Sequence, residues 1–519
     1  MTADASVRLI VDSPIVETRY GPVRGADDGR VTTWKGIRYA APPVGDLRWR
    51  APVPPQPWTE VADATTFGPV SPQPRSPIPM GLGTHADEDC LFLNIWAPSG
   101  TGASATATGE PKPVMVWVHG GAYIFGSGSQ PMYDGTVLAT GSDVVVVTIN
   151  YRLGALGFLD LSSAGFDSNV ALRDVLAALR WVQDNIAGFG GDPDRVTLFG
   201  ESAGAAITTT LLAVPEAAGL FSRAIAQSAP ATSIYGAERA GTMAQQFLDR
   251  LGMTADEAHR APVETLVDAA QHVFDHVPAS TPGLLAFAPT VDGDLVPDYP
   301  VTLARAGKTH PVPLLIGTNK NEAALFRLMR SPLMPIAPKA VKTMFSEMAN
   351  DQPGLQLPTA EQVSSAYPAK MARTRSLWVA SDVGFRMPTV WFAEGHTAVA
   401  PVYLYRFDWA TPLFKTIRLG AAHATELIYV WGNLISGPRD VTFKLGGLKT
   451  GEELSERMRA RWTRFAATGD PNVPVGQPHW APYRIDDRAT LVIDRRDRVV
   501  DDLDGPIRQA WGDEVLSFR

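Results

Sequence analysis

The sequence predicts an α/β protein whose core is a large, mostly parallel β-sheet flanked by helices. Three short apolar runs, VMVWV, VVVVTI and VTLFG, lie between Val114 and Gly200, and they are rich in β-branched residues. Strands without polar alternation are typical of a sheet that is buried on both faces. A helical stretch separates the second run from the third, which is the order of elements that parallel pairing requires.

Upstream of these strands, Leu91 to Trp96 is another apolar, β-rich segment. The run from Thr101 to Pro113 is rich in Gly, Ala, Ser and Thr, and it is the best candidate for a linker. Because apolar segments lie close on both sides of this run, we interpret it as a solvated, hairpin-like loop and not as a domain boundary.

The helical stretch before VTLFG has one apolar face. Its apolar residues recur at spacings of three and four, and they are Val175, Leu179, Val182 and Ile186. Such a stripe can pack on a sheet. Gly188 and the segment from Gly190 to Pro193 predict the end of the helix.

Three later segments predict further strands, namely PLLIG, VYLYRF and TLVID. The intervening segments near residues 230–283 and 325–397 have mostly helical patterns, such as AERAGTMAQQFLDRLG. We interpret them as insertions over the carboxyl edge of the sheet, where α/β proteins place their ligands. Residues 1–519 are therefore expected to form a single domain.

Composition excludes several classes of function. The chain has 519 residues, is 45% hydrophobic, and carries 46 Lys+Arg against 54 Asp+Glu, a net charge of −8. This acidic balance disfavours nucleic acid as a partner. No apolar run approaches the roughly 20 residues that cross a bilayer, and no export signal is recognisable. The single cysteine, Cys90, suits a reducing compartment, so we expect a cytoplasmic protein.

The segment Val196-Thr-Leu-Phe-Gly-Glu-Ser-Ala-Gly204 contains the strongest catalytic signal. It places Gly-x-Ser-x-Gly between a predicted strand and a predicted helix. In such a tight turn, glycines two residues before and after the serine let the hydroxyl project above the start of the helix. By itself the motif is also compatible with an ordinary loop. In this context it predicts that Ser202 is a catalytic nucleophile.

A nucleophilic serine needs donors for the oxyanion of its tetrahedral intermediate. The run Trp117-Val-His-Gly-Gly-Ala-Tyr123 follows a predicted strand, and its small residues let backbone N–H groups approach a ligand. We expect donors from Gly121, Ala122 and Ala203, although the run could instead be a turn that closes a strand. For His119 a packing role is favoured over that of a catalytic base.

At this point the chain resembles the type-B carboxylesterases of the α/β-hydrolase superfamily, which include bacterial carboxylesterases, cholinesterases and the non-catalytic neuroligins. The resemblance extends over nearly the whole chain. It is carried by GPVRG, WKGIRYAAPPVGDLRWRAP, EDCLFLNIW, HGGAYIFGSG, NYRLGALGFL, NVALRDVLAALRWVQDNIAGFGGDP, FGESAG and WTRFAATGDPN. It implies an α/β-hydrolase fold and serine esterase activity.

The resemblance also implies the rest of the catalytic triad, which in this family runs Ser, Glu, His along the chain. The matching positions are Glu322, just after the strand PLLIG, and His423 in GAAHATELIYVWG. His423 would act as the base for Ser202, and Glu322 would orient the imidazole. Ser228 and Glu426 are implied as a polar shell near the histidine, although either could be purely structural.

The chain departs from the cholinesterases at several positions. Cys90 matches a half-cystine of secreted relatives, but with no second cysteine it is expected to be a buried free thiol. The loop before it contains no tryptophan to hold a choline cation. The resemblance implies that Gly283 and Leu285 stand where the cholinesterases have the aromatic residues of the acyl pocket. These differences imply a roomy acyl site for uncharged esters, with no metal or other cofactor.

The sequence bears on two alternatives to a carboxylesterase. A neuroligin-like adhesion protein is disfavoured because the serine motif is intact and no membrane span is predicted. A carbamate or amide hydrolase remains open, because it would use the same acyl-enzyme chemistry. A small-molecule ester is the expected partner, and the protein is expected to be a monomer or a small homo-oligomer.

Overall fold

The computed structural model describes residues 13–75, 83–100, 110–368, 374–435, 437, 440–473 and 475–519. Of the predicted loop from Thr101 to Pro113, residues 101–109 lie outside these ranges. The strands are β1 (Ile15–Glu17), β2 (Pro22–Arg24), β3 (Ala26–Asp27), β4 (Val31–Arg38), β5 (Ala62–Asp63), β6 (Phe92–Pro98), β7 (Lys112–Val118), β8 (Val145–Ile149), β9 (Gly191–Glu201), β10 (Arg223–Gln227), β11 (Tyr235–Gly236), β12 (Thr290–Val291), β13 (Leu314–Asn319), β14 (Val402–Phe407), β15 (Thr490–Ile493) and β16 (Arg498–Val500).

The α-helices are α1 (Thr136–Ser142), α2 (Gly154–Phe158), α3 (Val170–Asn185), α4 (Ala203–Leu211), α5 (Ala237–Leu251), α6 (Ala255–His259), α7 (Val263–Ser280), α8 (Pro300–Arg305), α9 (Ala323–Met329), α10 (Pro338–Asp351), α11 (Ala360–Ala366), α12 (Arg375–Ser381), α13 (Met387–His396), α14 (Pro412–Thr416), α15 (Leu427–Trp431), α16 (Leu448–Thr468) and α17 (Gly505–Trp511). A π-helical turn, Asp382–Arg386, joins α12 to α13. Short 3₁₀ turns lie at Gly45–Leu47, Pro131–Tyr133, Ser162–Ala164, Ile186–Phe189 and Pro215–Ala217.

The main sheet has the strand order β16-β15-β14-β13-β10-β9-β7-β8-β6-β4-β3. From β15 to β8 every neighbouring pair is parallel, whereas β16 and the β6, β4 and β3 side pair in antiparallel fashion. The predicted fold class, a large and mostly parallel sheet flanked by helices, is therefore confirmed.

The parallel strands are buried on both faces, as their sequence predicts. On β7, Val114, Val116 and Val118 contribute to the core on one side of the sheet. The intervening Met115 and Trp117 contribute to the core on the other side. Because both faces are covered, these strands lack the alternation of polar and apolar residues that a half-exposed sheet has.

Helix α3 packs with its apolar stripe against the first of these cores. Val175, Leu179, Val182 and Ile186 are all fully buried there. The helix ends where predicted, since Asn185 is its last residue and Gly190 then adopts a left-handed conformation.

The carboxyl ends of the parallel strands meet at one edge of the sheet. Strand β9 ends at Glu201, β10 ends at Gln227 and β13 ends at Asn319, and the three strands are neighbours. The segment near residues 230–283 forms α5 to α7, and the segment near 325–397 forms most of α9 to α13. Within the described ranges, no helix combines the length and apolar character needed to cross a bilayer.

Candidate active site

Ser202 lies in the sharp turn between β9 and α4. Its backbone has φ 56° and ψ −123°, a region that non-glycine residues rarely adopt. A Cβ atom on Gly204 would lie only 2.0 Å from the carbonyl oxygen of Val118, and one on Gly200 would lie 2.6 Å from the backbone of Gly204. Only glycine therefore allows α4 to start this close to β7, which explains the spacing of the motif.

The loop after β7 approaches the same turn. Gly121 has φ 121°, and a Cβ atom there would lie 2.1 Å from the carbonyl oxygen of Phe125. Ala122 follows in a left-handed conformation with φ 51°. Gly121, Ala122 and Ala203 all line the cavity that contains Ser202.

His119 packs against the buried side of the loop that follows β7. Its side chain is buried and its ring stacks on Tyr151 at a centroid distance of 4.4 Å. Its Nδ1 lies 2.8 Å from the carbonyl oxygen of Gly120. Burial lowers the pKa of His119 to about 4, so the ring is neutral near pH 7. These contacts agree with the packing role that the sequence favoured.

His423 and Glu322 form a hydrogen-bonded pair. His423 Nδ1 lies 2.7 Å from Glu322 Oε2. The other carboxylate oxygen, Oε1, accepts hydrogen bonds from the backbone N–H of Asn319 at 2.6 Å and from the Ser228 hydroxyl at 2.6 Å. The Glu322 carboxylate is thus held by three partners, which fixes the plane of the imidazole.

Two aromatic rings pack against the imidazole. The ring centroids of Phe385 and Phe326 lie 4.5 Å and 5.3 Å from that of His423. Phe385 belongs to the π-helical turn, and such turns occur frequently at functional sites. The sequence revealed neither residue, because a helical pattern does not show which side chain of α9 or of the π-helical turn points toward the imidazole.

Glu201 is a further acidic group at the site that the sequence did not reveal. Its Oε1 lies 3.1 Å from His423 Nε2, and this oxygen atom has no hydrogen-bond partner among the described residues. Burial raises the pKa of Glu201 to about 8. Burial alone would lower the pKa of His423, but the charges of Glu201 and Glu322 raise it to about 9. The two groups therefore titrate as a coupled pair.

The residues implied as a polar shell occupy different places in one network. Ser228 contacts Glu322 directly. Glu426 is fully buried and accepts hydrogen bonds from the side-chain amides of Asn319 and Gln227, the latter at 3.0 Å. Among the described contacts Glu426 has no hydrogen bond to His423, so it reaches the histidine only through Asn319 and by its charge.

These residues surround a cavity of about 490 Å³. Its lining includes Ser202, His423 and both residues assigned to the acyl pocket, Gly283 and Leu285. The aromatic side chains in the lining are Tyr123, Phe125, Tyr133, Phe274, Phe326 and Phe385. A largely apolar cavity with a few convergent polar groups is the usual form of a small-molecule site.

The described part of the chain contains no group of three or more His, Cys, Asp or Glu side chains arranged to hold a metal ion. Cys90 is buried and free, as expected from its lack of a partner. Burial raises the pKa of its thiol, so the group is a poor nucleophile.

The chain matches the model of the carboxylesterase family over residues 12–510. It is 37% identical to the para-nitrobenzyl esterase of Bacillus subtilis strain 168, covering 95% of this chain and 98% of that protein. It is 35% identical to the phenmedipham hydrolase of Pseudarthrobacter oxydans, with 93% and 96% covered. Its structure matches the crystal structure of the Geobacillus stearothermophilus carboxylesterase EST55 with a TM-score of 0.82 and 38% identity, covering 96% of this chain and 99% of that one.

Proposed function

The chain belongs to the carboxylesterase family, and on this premise we propose that it hydrolyses uncharged carboxylic esters through an acyl-enzyme on Ser202. One observation carries the assignment of residues. Ser202, His423 and the oxyanion-loop residues Gly121 and Ala122 line the same apolar cavity, at the carboxyl edge of a parallel sheet.

In this mechanism Ser202 Oγ attacks the ester carbonyl carbon while His423 Nε2 takes the hydroxyl proton. The backbone N–H groups of Gly121, Ala122 and Ala203 stabilise the oxyanion of the tetrahedral intermediate. The intermediate collapses, the protonated imidazole gives its proton to the alcohol, and the acyl group stays on Ser202. Water then attacks the acyl-enzyme by the same steps and releases the acid.

Glu322 holds the imidazole through Nδ1, so that Nε2 is the nitrogen that acts as the base, and it stabilises the imidazolium that forms. Ser228 orients Glu322 through its 2.6 Å hydrogen bond. Glu426 acts indirectly. It accepts a hydrogen bond from the side chain of Asn319, and the backbone N–H of Asn319 donates to Glu322.

Gly283 and Leu285 form the wall that meets the acyl group. Gly283 adds no side chain to the cavity, and the Leu285 N–H is tied to the Tyr235 hydroxyl at 2.8 Å. This arrangement favours acyl groups larger than acetyl.

The same machinery can form a carbamoyl- or acyl-enzyme from a carbamate or an amide. The comparison of an aryl ester, an aryl carbamate and an anilide with the same acyl size decides between these activities. We expect the ester to have the highest kcat/KM. The anilide must expel an amine, which leaves less easily than phenoxide, and the nitrogen of the carbamate donates electrons that make its carbonyl carbon less electrophilic.

We further propose that residues 1–519 form a single domain. This is supported by the main sheet, whose 11 strands come from both ends of the chain, with β3 at one edge and β16 at the other. A cytoplasmic location is supported by the single, buried cysteine. We also propose that the enzyme is a monomer or a small homo-oligomer and that it does not bind nucleic acid, the latter being supported by the net charge of −8.

The test of this function is the variant Ser202→Ala. Its kcat for a p-nitrophenyl ester is expected to fall by about 10⁴-fold or more while its circular dichroism spectrum stays that of the wild type. An organophosphate should add covalently to the wild-type enzyme at Ser202, as located by intact-mass measurement and peptide mapping. Full turnover by the variant, or an adduct at another residue, would contradict the assignment.

A further inference from the structure

A second, smaller chamber lies beside the active-site cavity. It encloses about 40 Å³, and its far side is formed by Met344 and Met348 of α10 together with Leu516 and Phe518. These four side chains are buried, with Met344 1% and Phe518 4% exposed. The proposed mechanism makes no use of this chamber.

The partition between the two spaces is thin. Ser233, Gly283, Met334 and Gly384 line both the active-site cavity and the chamber. Two of the four are glycines that contribute only backbone. A Cβ atom on Gly384 would lie 2.7 Å from Met334 Cε, so the methionine side chain fills the space that a larger residue would take.

One side chain of this partition, that of Met334, can change its conformation. Methionine has three rotatable bonds and repacks at little cost. Met334 is only half-buried and lies in the irregular segment between α9 and α10. A change of the Met334 rotamer is therefore the smallest movement that would connect the chamber with the main cavity.

We propose that the chamber is the distal part of the acyl site and binds the terminal methylenes of a medium-length, unbranched acyl chain. This inference rests on the proposed esterase function. Gly283, the residue assigned to the acyl pocket, lines both the main cavity and the chamber. An acyl chain extended from Ser202 past Gly283 therefore enters it.

The chemistry of the walls fits an alkyl chain. None of the residues described as lining the chamber carries a charge. A Cβ atom on Gly283 would lie 2.9 Å from Met344 Sδ, so the thioether stands directly behind the glycine. Hydroxyl-bearing residues also line the chamber beside its apolar side chains, namely Thr232, Ser233, Tyr235 and Ser517. Because burial of a charged group without a counterion is costly, this space favours methylenes over a charged substituent.

The end wall is fixed, in contrast to the methionines. The carbonyl oxygen of Ser517 accepts a hydrogen bond from Gln352 Nε2 at 2.6 Å. Arg239 forms an ion pair with Asp351, and its guanidinium lies 5.4 Å from the centre of the Phe518 ring. The clamped Phe518 sets a limit to the acyl length that fits.

The experiment measures kcat/KM for p-nitrophenyl esters from acetyl to dodecanoyl. In the wild type, each methylene that enters the chamber should raise kcat/KM about fourfold until Phe518 stops the chain. Met344→Trp fills the chamber and should lower the octanoyl-to-acetyl ratio of kcat/KM about tenfold or more. Phe518→Ala lengthens the chamber and should move the optimum to a longer chain.

Phe247→Ala is the matched control, because Phe247 is fully buried on α5 and does not line either space as described. It should keep the wild-type chain-length profile. Met344→Phe serves as a milder filling variant if Met344→Trp fails to fold. Alkyl acetates of increasing alcohol length should keep their wild-type ratios in all the variants.

The proposal is wrong if the octanoyl-to-acetyl ratio stays unchanged in the filling variants and in Phe518→Ala. It is also wrong if the alcohol series changes instead of the acyl series. Failure of the esterase function gives a different result, since the wild type would then hydrolyse none of the esters, acetyl included.

Discussion

Three buried carboxyl groups lie around the imidazole of His423. Glu322 binds Nδ1, Glu201 lies beside Nε2, and Glu426 stands behind Asn319. A carboxyl group in a buried site is stabilised in its neutral form, whereas a nearby imidazolium stabilises its charged form. The site therefore holds protons more tightly than a solvated histidine would, and its base becomes available only as the pH rises.

The raised pKa of His423 should be visible in the acid limb of the pH profile of kcat/KM. Because His423 must be neutral to act as the base, a pKa raised to about 9 puts the midpoint of kcat/KM above about 6.5, the value for a free imidazole. Glu201→Gln removes one of the charges that stabilise the imidazolium. The midpoint should then fall by about one pH unit or more, as measured with a substrate limited by chemistry.

Glu426→Gln is the comparison variant, because Glu426 makes no direct contact with the imidazole among the described hydrogen bonds. It should move the midpoint less than Glu201→Gln does. A midpoint that is the same in the wild type and in Glu201→Gln would exclude a charge effect of Glu201 on the base.

Sequence patterns reach some of these residues and miss others for a physical reason. Ser202, Gly121 and Ala122 are recognisable because tight backbone geometry restricts which residues fit around them. Glu201 occupies a variable position of the serine motif, where the backbone imposes no restriction. Its role depends on which direction its side chain takes relative to a residue more than 200 positions away, and no local pattern contains that information.

At the scale of elements, an ion pair joins the start of α3 to the loop that follows β8. Arg152 Nε and Nη2 donate to the two oxygens of Asp174 at 2.8 Å and 2.7 Å. The two side chains are 3% and 0% exposed, and the backbone N–H of Arg152 also donates to Asp174. Removal of one partner would leave an unpaired charge in the core.

We expect Asp174→Ala to lower the free energy of unfolding by about 3–5 kcal/mol, because the Arg152 guanidinium would stay buried without a counterion. Denaturant unfolding followed by circular dichroism measures this change. Glu216→Ala provides the control, since its pair with Arg180 is about half exposed and should contribute less than about 1 kcal/mol. Equal effects of the two variants would contradict the argument from burial.

Elements differ in how well the sequence predicts them. The segments VMVWV, VYLYRF and the helix from Val170 to Asn185 have a strong period or a long apolar run, and each forms the expected element. Strand β10 (Arg223–Gln227) was not predicted, although it lies next to β9 in the sheet. Its five residues, RAIAQ, include only one β-branched residue and two alanines, so its conformation is set by the neighbours on both sides and not by its own preference.

At the scale of the whole molecule, the cavity combines aromatic walls with no tryptophan among its described lining residues. A cation over an aromatic face gains about 0.5–2 kcal/mol, most with tryptophan. Acetylthiocholine should therefore be a poor substrate, with no preference over its neutral isostere of similar size. The measurement is the ratio of kcat/KM for the two thioesters at one ionic strength.

A preference for acetylthiocholine of about tenfold or more, which is about 1.4 kcal/mol, would overturn this expectation. One of the aromatic side chains of the lining would then have to hold the cation. Tyr133 and Phe326 are the first residues to replace by leucine in that case, because both line the cavity together with Ser202.

The floor and the walls of the cavity are built by different parts of the chain. This division affects how the specificity of the enzyme can change during evolution. Its floor consists of strand ends and of turns where even one added carbon would collide with backbone. Its walls come from helices inserted between strands, with methionine, phenylalanine and glycine side by side. Substitutions in the walls can alter which molecules bind while the reacting groups keep their positions. A single substitution can therefore change the specificity without a loss of catalytic activity.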